Sequence, residues 1–189
     1  MSDSSETRDG ESTQAEPRPA TSGSTKSVGE ILNRDLPQKY VKGIAGAMAG
    51  LGISLGILVM LLGAFGNVEF TAGSATISSQ RYKLSLVNNV IGYTPFLAFP
   101  LAVLFGLRVA DVFDTDRRKG IVTAVTGVFV GTVLLVMITE MLATTQAPTV
   151  QGTSYSLDYA TALVNSLVIG VATSVAAAAT VYSSSRFSL

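Results

Sequence analysis

The 189-residue chain has zero formal net charge, no Cys and no His; 14% of its residues are charged and 48% hydrophobic. A soluble protein carries about 25% charged residues, so this deficit, with a mean hydropathy of +0.45, points to lipid. Disulfides, thiolate metal sites, thiol nucleophiles and lipid anchors on Cys are excluded; the commonest zinc ligand and general base are missing, and no basic excess offers itself to nucleic acid.

Residues 1–27 contain eleven Ser or Thr and almost no large apolar side chain, and Asp3, Glu6, Asp9, Glu11, Glu16 and Glu30 crowd the first 30 positions. Such a segment buries too little surface to offset its ordering entropy, so residues 1–30 are expected to be a disordered acidic tail. It is not a signal peptide, because no short apolar region with a small-residue cleavage site precedes Gly43. Residues 31–42 form a juxtamembrane segment, and the apolar spacing of 28–40 allows a short interfacial helix broken near Pro37.

The remainder, 43–189, reads as a four-helix transmembrane domain. The first span, 43–66, is 24 residues without a charge, enough at about 1.5 Å per residue to cross a hydrocarbon core of about 30 Å. The second, about 87–107, holds Asn88, Asn89, Pro95 and Pro100; the third, 120–142, holds one charge, Glu140; the fourth, 160–182, holds none. Continuous apolar runs of this length are not barrel strands, which alternate over about ten residues, and helices satisfy every backbone group internally. Arg34, Lys39, Lys42, Arg108, Arg117, Arg118, Lys119 and Arg186 flank the spans on one side, against Arg81 and Lys83 on the other, so both termini are expected in the cytoplasm of a cell membrane.

The chain also matches itself at an offset of 77. Lys42, Gly43 and Ile44 fall on Lys119, Gly120 and Ile121; Gly50 falls on Gly127, Leu58 to Met60 on Leu135 to Met137, and Leu86 to Asn88 on Leu163 to Asn165. After one inserted residue, Val90, Ile91 and Gly92 meet Val168, Ile169 and Gly170, and Arg108 meets Arg186. One offset serving both helices of a hairpin suggests two tandem helical hairpins related by a parallel duplication, with a pseudo-twofold axis along the membrane normal; shared membrane composition is the competing explanation. The fold class is therefore an all-α membrane protein, a four-transmembrane-helix bundle.

Small residues mark the expected packing faces: Gly46, Gly50 and Ser54 in the first span, Thr123, Gly127 and Gly131 in the third, and Ser166, Gly170, Ser174 and Ala178 in the fourth. Glu140 is the intramembrane ionisable residue. Some 30 Å along its helix from Gly120, it is expected at the outer interface, reaching water or pairing with Arg81 or Lys83, with a proton or cation site as the alternative. Asn88 and Asn165 are placed to hydrogen-bond across the pseudo-twofold axis, and Pro95 and Pro100 to kink the second span and free backbone carbonyls. The outer stretch 67–86 alternates enough for a short strand pair or a loose loop with a possible partner-binding role. Asp111, Asp114 and Asp116 lack the Gly and distal Glu of an EF-hand loop.

No sequence motif of a nucleotide-binding, hydrolase or metalloprotease site occurs, so no catalytic, cofactor-binding or metal-binding residue is assigned and no cofactor is expected. The acidic Ser/Thr-rich tail, the spans rich in Ala, Gly, Val and Thr, and eight Arg against five Lys give the chain a composition that resembles small multi-pass membrane proteins of haloarchaea. That resemblance implies a cell-membrane location and no particular activity. The expected function is that of a non-enzymatic helical bundle whose partners are membrane lipid and either other membrane proteins or itself. The alternative is a small transporter or channel working as an oligomer.

Overall fold

The computed structural model describes residues 27–65, 70–72, 75–148 and 156–187. In chain order they form α1 (Val28–Leu32), α2 (Asp35–Phe65), a hairpin of β1 (Phe70–Ala72) and β2 (Ala75–Ile77), α3 (Ser79–Val112), α4 (Arg117–Thr144) and α5 (Tyr159–Phe187). Among the described residues the protein is thus all-α apart from one antiparallel hairpin in register Phe70 to Ile77, and α2 to α5 are each long and apolar enough to span a bilayer. With 28 to 34 residues apiece, these four helices run about 42 to 51 Å, past the hydrocarbon and through the interfacial zones.

Polar residues set where the helices begin. Ser27 caps α1 by accepting the Glu30 N–H, Ser78 caps α3 through Arg81, and Asp116 caps α4 through Lys119. The order of residues 28–32 shortens the expected tail: the segment before residue 27 lies outside the described residues, and helix starts inside the range 1–30. The break before the first span falls at Asn33 and Arg34, not at Pro37. Pro37 instead sits in the first turn of α2, where a missing N–H costs nothing because no acceptor precedes it. Likewise the strand pattern expected over 67–86 covers only the hairpin; Ser78 captures the chain and 79–86 becomes the first two turns of α3.

At the end nearest Val28, called proximal below, also lie the α3–α4 turn and the end of α5; the hairpin marks the distal end. The central helix is α4. It runs parallel to α2, and the two exchange roles midway. In the proximal half α2 supplies the large side chains: a Cβ on Gly127 would stand 3.0 Å from Ile44 Cδ1, and one on Gly131 2.6 Å from the Met48 sulfur. In the distal half α2 supplies the glycines: Gly52 lies under Leu135, Gly56 under Leu142 and Gly63 under Gln146. Backbones approach closely along the whole contact because each large side chain faces a residue without one, the arrangement that holds helices together where lipid removes the hydrophobic incentive.

The packing row of α2 is therefore Ile44, Met48, Gly52, Gly56, Val59 and Gly63, and not Gly46, Gly50 and Ser54. Two residues along a helix rotate by about 200°, so the expected row lies on the opposite face. Gly46 and Gly50 have nothing within 4 Å of a notional Cβ, and the Ser54 hydroxyl bonds back to the Gly50 carbonyl at 2.9 Å. The sequence offers two small-residue rows, and the one interleaved with Ile44 and Met48 packs because it alternates large with small against a partner that does the reverse.

Helix α5 runs antiparallel to α4 on another of its faces. Ser174 donates to the Val125 carbonyl at 3.2 Å, the Thr132 and Thr173 hydroxyls meet at 3.0 Å, and Gly170 receives Phe129 and Val133. Helix α3 leans on both, with Gly106 against the Ala177 carbonyl and Val109 and Phe113 in the core with Val128 and Val181. It remains one helix through Pro95 and Pro100, and the Thr94 hydroxyl bonds back to the Val90 carbonyl at 2.7 Å. Helices α2 and α3 touch only slightly. Since α4 and α5 meet along much of their length, the two hairpins do not repeat each other's packing.

Candidate functional site

Three of the small-residue positions on α4 (Thr123, Gly127 and Gly131) and three on α5 (Ser166, Gly170 and Ser174) are buried at helix contacts, so their place is structural. The Thr123 hydroxyl, fully buried, has no hydrogen-bond partner. Asn88 and Asn165 are both exposed on the bundle's outside. They do not bond across an axis, because the slight α2–α3 contact and the extensive α4–α5 contact place their helices unequally. Asn88 instead borders a shallow surface depression with Arg81, Leu84 and Ser85.

Glu140 departs most from expectation. Its side chain is 6% exposed, its Oε2 is buried without a hydrogen-bond partner, and it makes no salt bridge with Arg81 or Lys83. The physical reason is helical phase: Glu140 lies on the inward face with Val136 and Ala143, one turn from the Ala143 contact with Val59 and Val87 that closes the distal end. A carboxyl group in such surroundings can hold or pass a proton or meet a cation. Among the described residues no cluster of acidic side chains joins it to form a metal site.

At the proximal end Arg117 ties α4 to α5: its Nη2 donates to the Tyr182 carbonyl at 2.6 Å and its guanidinium lies 3.7 Å from the Tyr182 ring centroid. Beside it, Tyr40 packs edge to face on Phe113 at 5.8 Å. The slight contact of α2 with α3 leaves a groove of about 260 Å³ there, walled by Tyr40, Gly43 and Phe105 and flanked by Lys39 and Arg108. In sequence Lys39 and Arg108 count only toward orientation; their 69-residue separation hides that they share a cleft.

Comparison with protein-family models, curated proteins and solved structures finds no match to this chain. What the fold defines is a multi-pass, helical membrane protein of four apolar helices.

Proposed function

We propose that this chain is a non-enzymatic interaction subunit of the cell membrane, its proximal end and both termini in the cytoplasm, working by binding a second copy of itself or another membrane protein. The observation that carries the reading is the unused face of α2. Gly46, Gly50 and Ser54 form a small-residue row with open space above it, on the side away from α4. Within a helix Gly costs about 1 kcal/mol relative to Ala, and a close-approach face gains from it only when another backbone lies against it. The filled centre supports the same reading, since Met48, Val128, Leu135 and Ala177 occupy the space between the helices.

The chain has no Cys of its own, so single Cys substitutions test this cleanly. In native membranes, Gly50→Cys is expected to give a disulfide-linked dimer or heteromeric adduct under mild oxidation, whereas Leu51→Cys, also exposed but about 100° round the helix, gives little. Equal yields from both, or none from Gly50→Cys, would remove the reading.

Glu140 favours a second reading, a small transporter or channel that passes protons or cations as an oligomer. Flux into liposomes that is lost in Glu140→Gln supports it; wild-type protein that moves no ion across a salt panel ends it.

A further inference from the structure

We infer that the proximal groove between α2 and α3 is a binding site for an anionic phospholipid, its headgroup held by Lys39 and Arg108 and one acyl chain laid along Tyr40, Gly43 and Phe105. Four observations converge on this occupant. Both cations are exposed and neither is in a salt bridge among the described residues, unlike Arg34 with Glu30 or Lys119 with Asp116. They sit at the mouth of an otherwise apolar cleft, near the start of one spanning helix and the end of another, which is headgroup depth. The contact between α2 and α3 is slight, and residues of both helices line the cleft. Finally, its volume of about 260 Å³ is below the roughly 300 Å³ at which pockets enclose a free small molecule, so it suits a ligand most of which stays in the bilayer.

Basic pockets between spanning helices recognise lipid headgroups by this combination of charge and depth. The acidic tail of the same chain is a poorer occupant. It brings carboxylates, but residues 1–27 contain no Leu, Ile, Val, Phe or Tyr to fill the apolar walls.

The test reconstitutes the full chain with phosphatidylglycerol and phosphatidylcholine of identical acyl chains and measures the retained lipid by native mass spectrometry. Wild-type protein should retain phosphatidylglycerol preferentially. Removing both charges (Lys39→Gln with Arg108→Gln) should cut that preference by about thirtyfold, about fivefold for each of two basic residues near a surface. The charge-keeping pair Lys39→Arg with Arg108→Lys should retain it, as should Arg118→Gln, which removes an exposed proximal charge outside the groove. Gly43→Leu keeps every charge and fills the cleft, and because a Cβ at Gly43 meets nothing within 4 Å the fold tolerates it; it should lower retention of both lipids. Equal retention of the two lipids by wild type overturns the inference. So does a loss in Arg118→Gln as large as in the double variant, which would mean a diffuse basic rim, or unchanged retention in Gly43→Leu, which would leave the groove empty.

Discussion

The exchange of roles between α2 and α4 can be tested at Gly52 against Gly50, neighbours on opposite faces of one helix. A Cβ added at Gly52 would lie 2.9 Å from the Leu135 carbonyl oxygen and 3.1 Å from Leu135 Cα, both backbone atoms that no rotamer change can move. The two helices must separate locally by about half an ångström, and overpacking of this kind costs about 1–3 kcal/mol. Separation also lengthens the 3.4 Å contact of the Thr139 hydroxyl with the Gly52 carbonyl, a minor branch because the same O–H donates to the Leu135 carbonyl at 2.7 Å. Against this stands the gain in helix propensity of about 1 kcal/mol for Gly→Ala. That gain is common to Gly50→Ala, where the new methyl meets open space, so the difference between the variants isolates the clash. We expect Gly52→Ala to be less stable than Gly50→Ala by about 1–3 kcal/mol, read from reversible denaturation of the monomer in mixed micelles. Equal stabilities, or a larger loss at Gly50, would refute the assignment of the packing face.

Three further outcomes follow from other contacts. In a double-mutant cycle, Thr132→Val and Thr173→Val should show a coupling of about 0.6 kcal/mol, because their hydroxyls meet at 3.0 Å in the core between α4 and α5; additive effects would contradict that contact. Asp158 lies ahead of α5 and accepts from the Thr161 hydroxyl at 2.7 Å and from the Thr161 and Ala160 N–H groups, and these bonds hold its pKa below the usual carboxylate value. A lowered folded-state pKa means that its stabilisation is present above the unfolded value and lost as pH falls through the folded one, so the protection factors of the Ala160 and Thr161 amides, taken relative to their intrinsic exchange rates at each pH, should fall in acid, and Asp158→Asn should flatten that dependence. For orientation, Cys placed at Ser22, Thr115 and Ser188 should be protected from an impermeant thiol reagent in intact cells while Cys at Thr153 is labelled; external labelling at Thr115 would invert the arrangement.

The four spans were legible in the sequence because lipid imposes one condition on every residue of a long run: no charge and no unsatisfied backbone. The observed helices extend beyond those runs, by eight residues before the first and eight before the second, because helix ends are set by caps such as Ser78 and not by hydropathy. Which face of a span packs was less legible. Gly46, Gly50 and Ser54 satisfy the small-residue rule as well as Gly52 and Gly56 do, and only the partner's Leu135 and Leu142 distinguish them. Glu140 was misplaced for the same reason: distance along the axis put it near the interface, but its phase, shared with Val136 and Ala143, put it inside. The groove could not be read at all, since it exists only where α2 and α3 fail to meet.

That failure also bears on the internal match at offset 77. Its paired residues sit in unlike surroundings: Gly127 and Gly170 are buried under neighbouring side chains, whereas their counterparts Gly50 and Gly92 have open space around them, and Val87 is buried whereas Val164 is 58% exposed. A duplication that produced two equivalent hairpins would have given α2 and α4 equal roles, yet α4 packs on three helices and α2 mainly on one. Under that origin, the second hairpin has taken the centre and the first has kept glycines that no helix among the described residues packs against. A helix from outside laid against Gly50 would supply the kind of contact that Ile44 supplies to Gly127. The outward glycines of the first hairpin therefore speak for association, which both readings require, and ion flux compared between wild type and Glu140→Gln is the measurement on which the two readings part.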